Sequence, residues 1–133
     1  MKLKITPDKL IMLFVRIKGS KGTREVRAVI DTGSVYSIIS VQDARRLGYE
    51  AWGDPEADAD PSTTAITKSD IFSTDEIVLE EVSVDGLVAK NVTALTYELP
   101  TLGRVEAILG LNYLKNFKTT IDFEKGYLTI EPT

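Results

Sequence analysis

Ala28-Val29-Ile30-Asp31-Thr32-Gly33-Ser34 is the stretch on which the reading of this chain turns. An apolar run drives straight into an acid, a small hydroxyl residue and a glycine. Val29 and Ile30 read as the end of a buried strand, and Asp31 sits where that strand leaves the core. A carboxylate against apolar surroundings is costly unless it is paired, hydrogen-bonded or protonated. Asp31 is therefore the first candidate for chemistry. An Asp-Thr-Gly arises by chance in roughly one chain of this length in forty, so its surroundings must carry the argument.

The 133 residues suffice for one compact domain, and we read residues 1–133 as that domain. Net charge is -4 and the basic residues are scattered, which leaves no footprint for nucleic acid. The chain has neither cysteine nor histidine. That excludes disulfides, thiol nucleophiles, Cys/His zinc sites and a histidine general base. Acid-base chemistry here must use carboxylates, Lys or Tyr. Lys2 and Lys4 precede an apolar run, Leu10 to Val15, that superficially resembles a signal peptide. Thr6-Pro7-Asp8-Lys9 interrupts the pattern, Arg16 ends it, and the run is too short to span a bilayer. The expectation is a soluble cytoplasmic protein that engages no membrane.

Leu10 to Ile17 reads as a strand, Gly19-Ser20-Lys21-Gly22 as a turn, and Glu25 to Ile30 as the return strand. This hairpin delivers Asp31 to one end of a sheet. Val35 to Ser40 resumes as strand. Ser40 and Asp43 then match a capping box for a helix over Gln42 to Leu47, which Gly48 stops. Tyr49 to Pro61 is irregular and acidic, without the glycine and late glutamate of a calcium loop. Trp52 is its one large apolar residue and reads as a loop anchor. Ser62 to Ile66 and Ile71 to Leu79 read as strands joined across Thr67-Lys68-Ser69-Asp70. Asp85-Gly86 is a hairpin turn signal. Leu87 to Tyr97 follows as strand, with Val88, Val92, Ala94 and Leu95 as core candidates. Val105 to Leu109 is a second apolar run ending in Gly110. Leu111 to Phe117 supplies a helical turn or two, and Thr119 to Phe123 with Tyr127 to Ile130 a last hairpin. Some nine short strands and one or two short helices make an all-β class.

In this order the motifs resemble the retropepsin-like aspartic proteases, single-domain relatives of pepsin. The first match is Val29-Ile30-Asp31-Thr32-Gly33-Ser34. The second is the strands from Ala65 to Tyr97, where the family places its flap. The third is Ala107-Ile108-Leu109-Gly110-Leu111-Asn112-Tyr113-Leu114, followed by Phe117 and Ile121-Asp122-Phe123. The resemblance spans about Leu10 to Ile130. It implies a small closed acid-protease-like β-barrel that forms one half of a two-fold dimer. It implies Asp31 as the catalytic acid, with Thr32 at the dimer axis, Gly33 admitting the backbone near the carboxylate, and Ser34 bonding it. Ile108, Leu109 and Gly110 would support the loop from beneath. Thr67, Lys68 and Ser69 would form the flap tip. That tip departs from the family's habit, because no glycine occurs between Thr63 and Asp85. Leu111 stands where viral members usually carry Arg.

The chemistry that follows is specific. Two carboxylates about 3 Å apart share one proton and split into acid and base. One Asp-Thr-Gly per chain means that the second carboxylate comes from another copy, in an isologous homodimer. The expected activity is an aspartic endopeptidase hydrolysing peptides or unfolded proteins, with no metal and no cofactor. The alternative is a non-catalytic dimer that uses the same fold to bind peptides or scaffold partners.

Overall fold

The computed structural model describes residues 1–50, 76–98 and 105–133. Strand β1 spans Lys2–Lys4, β2 Met12–Gly19, β3 Gly22–Ile30 and β4 Ser37–Ser40; helix α1 covers Val41–Arg46. Then come β5 (Glu76–Val84), β6 (Leu87–Tyr97), β7 (Ala107–Leu109), helix α2 (Leu111–Leu114), β8 (Phe117–Asp122) and β9 (Tyr127–Pro132). Six strands close a barrel in the order β2-β3-β7-β4-β6-β5, and β1-β9-β8 forms a separate three-stranded sheet. The fold is all-β with two short helices among the described residues, as expected.

Period-two patterning makes the barrel. In β2, Leu13, Val15 and Ile17 point inward, and in β3 Val26, Ala28 and Ile30 do the same. The two strands pair from Met12↔Val29 to Gly19↔Gly22 across the turn at Ser20-Lys21. Their inner faces meet Ile39, Leu79, Val82, Ala94 and Leu109, all buried. At the β5–β6 turn Asp85 and Gly86 take φ of 49° and 82°, the left-handed pair that a two-residue hairpin loop requires.

Two expectations about β6 and β4 need correcting. Val88 is 46% exposed, and Ala89 takes the inward place instead. Strict alternation back from Val92 would put Val88 inside, but Asn91 adopts φ 56° and swaps the strand's faces. Strand β4 starts at Ser37 rather than Val35, because the carbonyls of Ser34 and Val35 are taken by Leu111 and Asn112 N–H groups. Lys2–Lys4, read as the flank of a false signal, is a strand paired with β9.

Helix α1 begins where the capping box places it. The Asp43 N–H donates to Ser40 Oγ (3.1 Å), and that hydroxyl donates back to Asp43 Oδ2 (2.8 Å). Asp43 is buried, and its charge is met by Arg24 Nε of β3 at 3.0 Å. The helix is thereby tied to the barrel wall. Tyr49 closes another gap. Direct β2–β5 pairing ends at Lys18↔Glu81. Just beyond, the Tyr49 hydroxyl donates to Lys18 O (2.9 Å) and accepts the Glu80 N–H (2.8 Å). Burial pushes that phenol above its ordinary value of 10.0, with the Glu80 charge adding to the rise and the Glu80 N–H opposing it. Among the described residues no helix is long and apolar enough to cross a membrane. Trp52, the acidic stretch to Pro61 and the expected strand over Ser62 to Ile66 lie outside the described residues.

Candidate active site

The site grows from two parallel strands. β3 and β7 pair Ala28↔Ala107, Val29↔Ile108 and Ile30↔Leu109, and β7 also pairs antiparallel with β4 through Ile38↔Ile108. Ile108 therefore lies between the strand entering the loop of residues 31–36 and the strand leaving it. Asp31 emerges half-buried at the end of β3, its N–H donating to Leu109 O at 3.0 Å. The chain folds back at once. Gly33 N–H donates to Asp31 Oδ1 at 2.9 Å, and Ser34 N–H to Asp31 O at 3.2 Å. A Cβ on Gly33 would stand 3.2 Å from that carboxylate oxygen, so a side chain there would crowd the acid. Thr32 and Gly33 face solvent. Ser34 Oγ donates to Tyr36 O at 2.6 Å. The resemblance implies instead a bond from Ser34 to the acid. In this chain the hydroxyl braces the loop, and the backbone amide of Gly33 orients the carboxylate.

The far wall of the loop is the start of α2. Leu111 N–H donates to Ser34 O (2.8 Å) and Asn112 N–H to Val35 O (3.0 Å). Gly110 is buried, and a Cβ there would lie 2.7 Å from Ser34 O and nearer still to Tyr36 O. Only a residue without a side chain lets the two backbones meet. Gly110 N–H donates to Ser37 Oγ (3.1 Å), whose hydroxyl donates to Asn112 Oδ1 (2.8 Å). Asn112 Nδ2 in turn donates to Thr93 O of β6. Ser37 and Asn112 thus join loop, helix and barrel in a polar knot. Sequence reasoning assigned Asn112 no role beyond its place in the motif, and the 75-residue separation from Ser37 gave no local signal.

Behind the helix, Tyr113 is fully buried and donates its hydroxyl hydrogen to Leu87 O at 2.8 Å. Burial pushes this phenol up to about 12, against an opposing hydrogen bond at Val84. Residues 30–37 contain one charged side chain, Asp31, and residues 109–114 contain none. Among the described residues no three carboxylates converge to hold a metal ion. Thr67, Lys68 and Ser69 lie outside the described residues. The arrangement presents one oriented carboxylate, open on its solvent side, on a frame of backbone hydrogen bonds.

A family model described as aspartyl protease matches residues 14–113, a span that includes both strand-to-glycine motifs. Among solved structures, a retropepsin-like aspartic protease from Rickettsia conorii is similar at 20% identity with a TM-score of 0.65. That match covers 98% of this chain and 88% of the other. The retroviral protease-like domain of Ddi1 from Leishmania major is similar at 22% identity with a TM-score of 0.52, over 92% of this chain and 86% of that one. At these identities the likeness shows a shared fold. No curated protein sequence matches significantly.

Proposed function

The chain belongs to the aspartyl protease family, and we propose that it is an endopeptidase whose site is assembled by two copies. The observation that carries this reading is the Asp31 loop itself. A carboxylate at a strand end is oriented by the Gly33 amide and open to solvent. One carboxylate cannot serve at once as base toward water and acid toward the scissile carbonyl. Two Asp31 side chains on a two-fold axis can, by sharing one proton. The ionised carboxylate takes a proton from water as the water oxygen bonds to the peptide carbon. The protonated one gives its proton to the carbonyl oxygen. Collapse of the tetrahedral species breaks the C–N bond; the departing nitrogen takes a proton from the carboxyl that gained one, and one hydroxyl of the tetrahedral species returns its proton to the other carboxylate, which leaves a free acid, an amine and a dyad again holding one proton. Thr32, next to the acid and exposed, sits at the axis in this reading, and Ile108, Leu109 and Gly110 hold the loop. Thr67, Lys68 and Ser69 form the flap tip. The substrate is an extended peptide or unfolded chain, bound by strand-like hydrogen bonds. The whole chain acts as one domain in the cytoplasm. In support of that setting, the Leu10–Val15 run mostly falls in β2, with Leu13 and Val15 in the barrel core.

The test is cleavage of a denatured protein mixture between about pH 4 and about pH 7 by wild type and Asp31→Asn. Wild-type cleavage that disappears with the substitution is expected. Cleavage that survives it sinks the assignment of Asp31. Cleavage by neither would favour the peptide-binding dimer.

A further inference from the structure

The barrel's β2–β5 contact is short and runs only from Arg16↔Ser83 to Lys18↔Glu81. Tyr49 bridges the strands beyond Lys18. At the other end, beyond Arg16, β5 turns away into the loop at Asp85-Gly86 and β2 runs on to Met12 paired with β3 alone. Ile30 N–H donates to Ile11 O, which makes these two residues a hydrogen-bonded pair. By alternation Leu13 and Val15 also spend their backbone groups on β3. Met12 and Phe14 therefore aim N–H and C=O at the opposite edge, where no described residue meets them. That open edge borders a groove of about 620 Å³ on the outer wall of the barrel. Phe14 (60% exposed) and Val88 (46%) give the groove an apolar floor. Glu25, Glu81 and Asp85 line it together with one charged base, Arg16. None of these four has an ion-pair partner among the described residues. Met1 also borders the groove, with its ammonium donating to Ile130 O at 2.8 Å. Arg27, the cross-strand partner of Phe14, holds its guanidinium 5.8 Å from the ring centre, so this surface already accommodates a cation.

We propose that this groove is a peptide-binding site separate from the Asp31 loop, and that its occupant is an extended segment with lysine or arginine on either side of one apolar residue. Three features choose that occupant. The free backbone groups of Met12 and Phe14 are what an added strand pairs with. Phe14 and Val88 take the apolar side chain. Three carboxylates against one guanidinium favour cationic neighbours and disfavour acidic ones. Side chains alternate along a strand, so the basic and apolar residues that face the groove stand two positions apart. None of the lining residues belongs to the Asp31 loop or to the Gly110 turn. The site therefore stands whether or not Asp31 cuts peptides, and a protein carrying such a segment is held on the barrel wall away from the acid.

The test is fluorescence anisotropy of a labelled, end-capped Lys-Thr-Val-Thr-Lys peptide titrated with the full chain. Saturable binding that weakens as sodium chloride rises is expected. The same peptide with glutamate in place of lysine should bind about tenfold or more weakly. Glu81→Gln with Asp85→Asn should weaken the lysine peptide about fivefold or more. Asparagine tolerates the left-handed backbone at position 85, so circular dichroism should stay near wild type. N-methylation of every second peptide amide reads the strand pairing. One of the two alternating sets should abolish binding and the other should leave it near wild type. Amide chemical shifts should move at residues 12–16 and 83–88. No binding at millimolar peptide overturns the proposal, as does equal binding of the lysine and glutamate peptides. An unchanged affinity in the Glu81→Gln, Asp85→Asn variant overturns it too. Equal effects of the two N-methylated sets overturn strand addition. Shifts confined to residues 31–36 and 109–114 place the peptide at the Asp31 loop and overturn the separate site.

Discussion

Two turns of this molecule are built alike and are put to opposite uses. In each, an apolar strand runs into a glycine-bearing turn: Val29-Ile30-Asp31-Thr32-Gly33 after β3, and Ile108-Leu109-Gly110 after β7. The strands are parallel neighbours, so Asp31 and Gly110 leave the sheet side by side. The first turn is open. Its glycine faces solvent and a Cβ there would meet only the acid it serves. The second is buried, and a Cβ there would collide with the carbonyls of the first. One turn presents a functional group and the other fixes where that group stands. The difference teaches that a chemical and a structural glycine can share one local pattern and be separated only by what lies above them.

Substitutions in the two turns should therefore fail in different ways. The largest effect is expected for Asp31→Asn, which keeps the acceptor for Gly33 N–H. Cleavage should fall on the order of 10³-fold or more with stability changed by less than about 0.5 kcal/mol, by kinetics alongside urea melts. Gly110→Ala comes next and fails as structure. Overlap with two backbone carbonyls should cost about 3 kcal/mol or more, seen as a lowered urea midpoint, with activity lost only as the fold is lost. If Gly110→Ala were as stable as wild type, the assignment of that turn as frame would fall.

The anchoring of the second turn can be titrated. Tyr113 holds its proton more tightly folded, up to about 12, than at its ordinary value of 10.0. Its contribution is complete below about pH 10 and is lost as pH rises toward about 12, worth about 2 kcal/mol. Urea melts at about pH 9 and about pH 11 should show that decline, and Tyr113→Phe should flatten it. Of the two glycine substitutions, Gly33→Ala has the smaller effect on stability. We expect less than about 1 kcal/mol, with cleavage nevertheless reduced because the methyl crowds Asp31 Oδ1. Equal losses of stability from Gly33→Ala and Gly110→Ala would erase the contrast between the turns.

Legibility followed the range of the interactions. Ser40 with Asp43, Asp85-Gly86, and β6 from Leu87 to Tyr97 were readable because each depends on residues a few positions apart. The closed barrel followed from the order of motifs and their resemblance to a family. What escaped depends on distant partners. Lys2–Lys4 has too few residues and too much charge to show a period, and β9 makes it a strand. Val88 was misplaced because one left-handed residue, Asn91, breaks an alternation that the letters alone suggest. At the site, Asp31 was legible as an acid after an apolar strand. The bond of Ser34 Oγ to Tyr36 O and the link from Ser37 through Asn112 to Thr93 were not. Small polar residues have several nearby acceptors, and only the folded geometry chooses among them.

The parallel pairing of β3 with β7 also sets a timetable. Arg27 and Glu106, at the start of that pairing, are 79 residues apart. While the chain is being made, Asp31 leaves the ribosome long before the residues that give its loop a shape. The hairpin of β2 and β3 can close early, because its contacts are local. The loop beyond it must wait for Leu109, Gly110 and Asn112, and closing so long a connection slows folding. A nascent chain ending before residue 105 would carry Asp31 without the frame that gives its loop a shape.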